Sequence, residues 1–126
     1  MFENLEVFRL SHALARHAGA RQAVVAQNMA NADTPDYAAR DIAPFSAHLE
    51  ATQGMRATRP GHLFGQSGPL AFEAHEERGA ARDPNGNSVS LETEMLRAVD
   101  VQRQHGRALA IYRSGLTVLR TAISRS

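Results

Sequence analysis

The first proline-free stretch lies near the start of the chain and carries a helical pattern. Alanine is dense from Glu3 to Asn31, and proline is absent there. These are strong helix formers, so the composition predicts one long N-terminal helix. Apolar side chains recur at steps of four and seven residues, which places them on one helix face. This predicted packing stripe consists of Leu10, Leu14, Ala18, Val25 and Met29.

A second proline-free stretch, from Ser90 to Ser124, has stricter periodicity. Apolar positions alternate in steps of four and three, which is the spacing of a coiled-coil seam. Polar residues interrupt the pattern only at its centre, at Gln102 and His105. The stretch predicts a C-terminal helix about 50 Å long. Its predicted seam consists of Leu91, Met95, Ala98, Leu109, Tyr112, Leu116, Leu119 and Ile123.

The segment between the two stretches has the opposite character. Residues 32–88 hold all five prolines and six of the nine glycines, including the turn-forming sequences GQSGPL and DPNGN. A short helix is expected at 44–51 and a short strand at 70–74, with room for a short β hairpin. The predicted fold is mainly α: two long terminal helices form an antiparallel hairpin or coiled coil around a loop-rich insert. We expect one domain with segments 1–31, 32–88 and 89–126.

The composition indicates that a single copy has little material for a core. Hydrophobic residues make up 43% of the 126 residues, but many are alanine, tryptophan is absent and aromatic residues account for 6%. Small domains already bury too little surface to be very stable. We therefore expect the two terminal helices to complete their burial against other chains.

Several classes of function are disfavoured by composition and charge. No cysteine is present to form disulfides or thiolate metal sites. The net charge is only +1, and the opposite charges at Glu94–Arg97 and Asp100–Arg103 are spaced for helical ion pairs. A nucleic-acid partner is therefore not expected. No apolar run reaches the roughly 20 residues that cross a bilayer, so membrane insertion is not expected. The start of the chain, MFENLEVFRL, is unlike a secretory signal.

The sequence offers weak candidates for catalysis or ligand binding. His12 and His17 are five residues apart, which is not the spacing of a helical zinc pair. His105 falls on the predicted seam, where a polar residue commonly sets the register. DPNGNS at 83–88 fits a turn better than a calcium loop. No nucleophile motif such as G-x-S-x-G occurs. We therefore predict no enzyme activity and no catalytic, cofactor or metal site.

The stretch NMANADTPDYAARD, residues 28–41, follows the first predicted helix and ends it abruptly. Thr34 cannot continue a helix because proline follows it. Asn31 suits a left-handed cap, and Pro35-Asp36 suits the central pair of a type I turn that returns Tyr37 to the helix. The residues alone leave two interpretations open. The stretch is either only a turn or a surface that meets a partner.

This stretch resembles a known signature. RQAVVAQNMANADTPDYAARDIAPF is similar to the N-terminal segment of bacterial flagellar rod and hook proteins, which centres on Asn-x-x-Asn-x-x-Thr-Pro-x-Tyr. TRPGHL and NGNSVSLETEM resemble segments of the short proximal-rod members of that family. Many members have glycine where this chain has Asp36. The matching positions of the signature are Asn28, Asn31, Thr34, Pro35 and Tyr37.

The resemblance implies a structural role in the flagellar basal body. The terminal helices would pack with those of neighbouring subunits into a tube around the export channel, and motility would require the protein. It would leave the cytoplasm through the flagellar type III apparatus, without a cleaved signal peptide, and reside in the rod that spans the periplasm. The implied partners are copies of itself, other proximal rod proteins, the export gate with its basal adaptor protein, and the rod-capping protein.

A different class of function also fits the predicted helical hairpin. A chaperone or adaptor of a secretion system would use the same apolar seam to bind an amphipathic helix of its cargo. The two hypotheses differ in location and self-association. A rod subunit enters the basal body, whereas a chaperone stays in the cytoplasm.

Overall fold

Two long helices dominate the computed structural model, which describes residues 2–53 and 72–125. Helix α1 spans Phe2–Ala30 and helix α3 spans Leu91–Ser124. The side chain of Ser90 caps α3 by accepting a hydrogen bond from the Thr93 amide at 3.4 Å, and acidic residues occupy the first turn. Both helices predicted from the sequence are confirmed. No helix in the described ranges is both long and apolar enough to cross a bilayer.

The two helices form an antiparallel hairpin that closes on small side chains. The rings of Phe8 and Tyr112 meet edge to face with centroids 5.4 Å apart, and Gln104 lies beside α1 further along. A Cβ on Gly115 would lie 3.2 Å from the Phe8 ring, so glycine permits this close approach. The buried line of α3 repeats every seven residues and consists of Glu94, Val101, Ala108 and Gly115. The facing line of α1 consists of Ser11, Ala18 and Val25.

The predicted packing residues fall partly inside and partly outside this interface. Ala18 and Val25 are buried between the helices. Most bulky positions of the α3 seam are exposed instead, with Met95 57% and Ile123 72% accessible. The buried residues of α3 lie one position earlier in the heptad than the predicted seam, which corresponds to a rotation of about 100° around the helix. At that position, Ala108 and Gly115 are small enough to let the two backbones approach closely. The packing role of the bulky seam stays a prediction, and it now concerns contacts beyond the hairpin.

A small sheet and a short helix make up the described part of the insert. Strand β1, Arg40–Ile42, pairs antiparallel with strand β2, Ala74–Glu76, with Asp41 opposite His75. Helix α2, Phe45–Gln53, confirms the predicted short helix. The strand expected at 70–74 begins at Ala74, and residues 70 and 71 lie outside the described ranges. TRPGHL, residues 58–63, also lies outside them.

A network of charges joins the sheet to both helices. Arg97 pairs with Glu94 at 2.8 Å, with Asp41 at 3.7 Å and with Glu77, while Arg21 pairs with Asp41 at 3.2 Å. The Glu94–Arg97 pair was expected from its i,i+3 spacing, but its links to the sheet were not. The other expected pair, Asp100–Arg103, does not form in the described structure.

Candidate assembly site: the asparagine corner

The last turn of α1 is fixed to the following chain by Asn28, whose side chain is completely buried. Its amide nitrogen donates a hydrogen bond to the Arg40 carbonyl at 2.7 Å. Its oxygen accepts one from the Arg40 amide and one from the Tyr37 hydroxyl, each at 3.1 Å. A carboxamide is suited to this position because it offers a donor to the carbonyl and an acceptor to the amide of one residue, Arg40.

A second asparagine, Asn87, connects this region to the chain that enters α3. Its amide nitrogen donates to the carbonyls of Asn31 at 2.8 Å and Thr34 at 2.7 Å. Its oxygen accepts from the Val89 amide at 2.8 Å, and its side chain is buried. The segment after α1 and the segment before α3 are therefore held together by one side chain.

The exit of the chain from α1 is a type II turn. The Tyr37 amide donates to the Thr34 carbonyl at 3.3 Å, with Pro35 and Asp36 in the centre. Asp36 has φ +61°, and a positive φ at this position defines type II. The expected type I turn is therefore wrong.

The expected role of Asn31 is also wrong in one respect. Among described residues, Asp36 is the only one other than glycine with a positive φ, so Asn31 is not a left-handed cap. Its amide nitrogen donates to the Gln27 carbonyl at 2.8 Å, and its oxygen accepts from the Thr34 hydroxyl at 3.1 Å. Asn31 thus caps the last carbonyls of α1 with its side chain rather than by its backbone conformation.

Backbone contacts complete the connection between the two segments. The Asp36 amide donates to the Asn85 carbonyl, and the Ser88 amide donates to the Tyr37 carbonyl, each at 3.0 Å. The Ser88 hydroxyl accepts from the Ala39 amide at 2.7 Å. Gly86 has φ +84°, and a Cβ there would overlap the Asp36 carboxylate. We call this arrangement the asparagine corner, formed by Asn28, Asn31, Thr34, Pro35, Asp36, Tyr37, Asn87 and Ser88.

The buried asparagines of the corner have all their hydrogen-bonding atoms paired, whereas the outer surface of the corner is exposed to solvent. Both polar atoms of Asn28 and Asn87 are engaged within the chain, so these side chains set geometry and are not free to bind a ligand. Asp33, Pro35 and Asp36 are exposed. All five signature residues lie in the corner. Pattern reasoning alone missed the roles of Asn87 and Ser88, although DPNGNS and the resemblance had marked their segment.

The histidines differ in their surroundings. His12 is exposed and His17 is fully buried, so the two do not converge. His105, expected on the seam, is exposed. Burial lowers the pKa of His17, despite its hydrogen bonds to Ala43 and Gln104.

Comparison with known proteins identifies the family. The flagellar basal body rod protein FlgB of Agrobacterium fabrum is 37% identical over 114 residues, covering 80% of each chain. The protein of the same name from Cereibacter sphaeroides is 34% identical over 113 residues, covering 82% of each chain. The chain belongs to the FlgB family. No protein-family profile matches it.

Membership in the FlgB family makes the chain a structural subunit of the flagellar basal body rod. The fold agrees with this role, because the long terminal helices pack together around a loop-rich middle. The secretion-chaperone alternative receives no support. The location is the flagellar basal body, where the protein assembles with other rod components.

Proposed function

We propose that this FlgB-family chain is a proximal-rod subunit whose two terminal helices finish their burial against neighbouring subunits. One observation carries the proposal: the hairpin closes on small side chains and leaves a line of bulky ones facing outward. Leu91, Met95 and Leu109 are each more than 40% accessible. Monomeric proteins rarely expose so continuous an apolar surface without a partner for it.

The asparagine corner supplies the second element of this mechanism. The corner ends α1 and includes the segment that leads into α3. Asn87 in the second segment bonds to the carbonyls of Asn31 and Thr34 in the first. In the proposal the corner fixes the direction in which the insert leaves the tube of helices. The division into two rod-core helices, 1–31 and 89–126, and an insert, 32–88, follows from this arrangement.

The specific partners and the export route belong to the same proposal and rest on the family resemblance. The partners are copies of this chain, other proximal rod proteins, the export gate with its basal adaptor, and the rod-capping protein. The chain reaches the rod through the flagellar type III apparatus. The rod then serves as the axial drive shaft and export channel, and motility depends on it.

Complementation of a deletion strain tests the packing role of the bulky seam. We expect Met95→Gln combined with Leu109→Gln to abolish motility and to leave basal bodies without a rod in electron micrographs. Each change places a polar amide where an apolar contact is required. Leu109→Met is the matched control, since it keeps the apolar character and volume, and it should restore motility.

The location of the variant protein distinguishes the possible results. Loss of the rod with normal amounts of exported variant supports a role in assembly. Normal rods from the double variant would refute the proposed packing surface. If the unaltered chain stays in the cytoplasm and is absent from basal bodies, the rod function is refuted and the chaperone hypothesis is favoured.

A further inference from the structure

Four aromatic rings meet where α2 lies against α1. His17 of α1 contacts Phe45 and His48 of α2 at centroid distances of 5.6 and 5.5 Å. Phe72, which precedes β2, lies 5.0 Å from His17 and 4.8 Å from His48. We call these four residues the ring cluster. It joins parts of the chain that are far apart in sequence.

The hydrogen bonds of His17 select its neutral form. Its Nε2 lies 2.7 Å from the Ala43 carbonyl oxygen, which can only accept, so Nε2 carries the proton. Its Nδ1 lies 2.6 Å from the Gln104 amide nitrogen and accepts from it. A second proton on His17 would face the Gln104 N–H group. The ring is fully buried, so water cannot stabilise that charge.

The second histidine of the cluster also has a buried ring nitrogen. The Nε2 atom of His48 has no hydrogen-bond partner among the described residues, and its ring meets those of His17 and Phe72 edge to face. A metal ion does not account for the pair, because both ring nitrogens of His17 already have partners.

The charged groups around the cluster do not offset an added positive charge. Arg21 of α1 is near His17 and is paired with Asp41 of β1. A cleft of about 390 Å³ beside Phe45 is lined by more basic than acidic side chains. Glu50 of α2 and Glu73 after Phe72 are exposed. The charged groups of the cleft are Arg21, Asp100, Arg103 and Arg107.

In the described part of the chain, helix α2 meets α1 through the ring cluster, whereas α1 and α3 pack along their length. Phe45 and His48 are one turn apart on the face of α2 that meets His17. We expect loss of these ring contacts to loosen the docking of α2, while the packing of α1 against α3 keeps the hairpin closed.

We propose that the ring cluster is a pH-sensitive latch that holds α2 against the hairpin near neutral pH and releases it on acidification. The proposal concerns the single chain and is independent of rod assembly. The pKa of His17 is lowered from 6.5 in the folded chain, mainly by burial. A lowered pKa gives stabilisation that is complete above 6.5 and is lost as the pH falls through the folded-state value.

Distances between spin labels test the latch directly, and the absence of native cysteine makes labelling simple. Labels at Ala47→Cys on α2 and Ala26→Cys on α1 report docking of α2. Labels at Ala26→Cys and Ala110→Cys report the hairpin. All three positions are exposed. From about pH 8 to about pH 5, the first distance distribution should broaden with a midpoint below 6.5, while the second stays narrow.

Variants assign the transition to the cluster. His17→Gln removes the buried imidazole and keeps a side chain that can form hydrogen bonds, so it should abolish the transition. His12→Gln is the control, because His12 is an exposed histidine on the same helix and should leave the midpoint unchanged. If the hairpin labels broaden at the same pH, the event is global unfolding and the latch is refuted. An α2 distance that does not change with pH in the unaltered chain, or a transition that persists in His17→Gln, would also refute it.

Discussion

Removing Asn28 tests whether the asparagine corner stabilises the single chain. Asn28→Ala deletes three hydrogen bonds: two with the backbone amide and carbonyl of Arg40 and one with the Tyr37 hydroxyl. At about 1 kcal/mol net for each bond, the loss is about 3 kcal/mol. Alanine recovers about 0.5 kcal/mol of helix propensity. The expected net destabilisation is therefore about 2–3 kcal/mol.

The contribution of the tyrosine can be separated by a double-mutant cycle. Tyr37→Phe removes only the hydroxyl and its 3.1 Å bond, so it should cost about 1 kcal/mol. In the Asn28→Ala background the same change should cost almost nothing, because its partner is gone. Urea unfolding followed by far-UV circular dichroism supplies the four free energies. Gln27→Ala, an exposed neighbour on α1, is the control and should change stability by less than about 0.5 kcal/mol.

Either of two results would contradict the stabilising role of Asn28. If Asn28→Ala is no more destabilising than Gln27→Ala, the buried hydrogen bonds do not stabilise the fold. If Tyr37→Phe costs the same with and without Asn28, the two side chains are not coupled and their bond is not formed in solution. A coupling of about 1 kcal/mol would support the geometry.

Two further changes follow from the structure. Because Asp36 has φ +61° in a type II turn, Asp36→Gly should be about 1 kcal/mol more stable than Asp36→Ala in urea unfolding; the opposite order would indicate a type I turn. Arg97→Leu leaves the buried Glu94 without its ion-pair partner and should cost about 3 kcal/mol. Arg97→Leu combined with Glu94→Gln should recover most of this loss in thermal unfolding, and no recovery would refute the ion-pair explanation.

The sequence predicted the elements well because their signals are local. A proline-free, alanine-rich stretch predicted α1, a proline-free stretch with heptad periodicity predicted α3, and Ser90 marked the start of α3. The face on which the hairpin closes was not predictable from bulky residues. Helices approach closely where Ala108 and Gly115 are small, and small residues give a weak hydrophobic signal.

In the candidate site, too, the features with local sequence signals were predictable and the features that depend on tertiary contacts were not. The signature located the corner, but the turn type depends on Asp36 accepting a left-handed conformation, which its residue type disfavours. The contacts of Asn87 with Asn31 and Thr34 join positions more than 50 residues apart, and local patterns carry no such information. The burial of His17 likewise depends on α2 and α3 covering it.

The two lines of α3 have different energetic consequences for a subunit that assembles. The inner line of Glu94, Val101, Ala108 and Gly115 gives the hairpin a defined geometry but modest hydrophobic stabilisation, because Val101 is its one sizeable apolar side chain. Helix α3 also carries eight large apolar side chains that are each at least 42% accessible. If neighbours cover them, each contributes about 1 kcal/mol, or about 8 kcal/mol together. This equals the whole stability of a typical domain, about 5–15 kcal/mol. Assembly that covers these side chains would therefore strongly stabilise a subunit whose fold is already defined by the corner and the inner line.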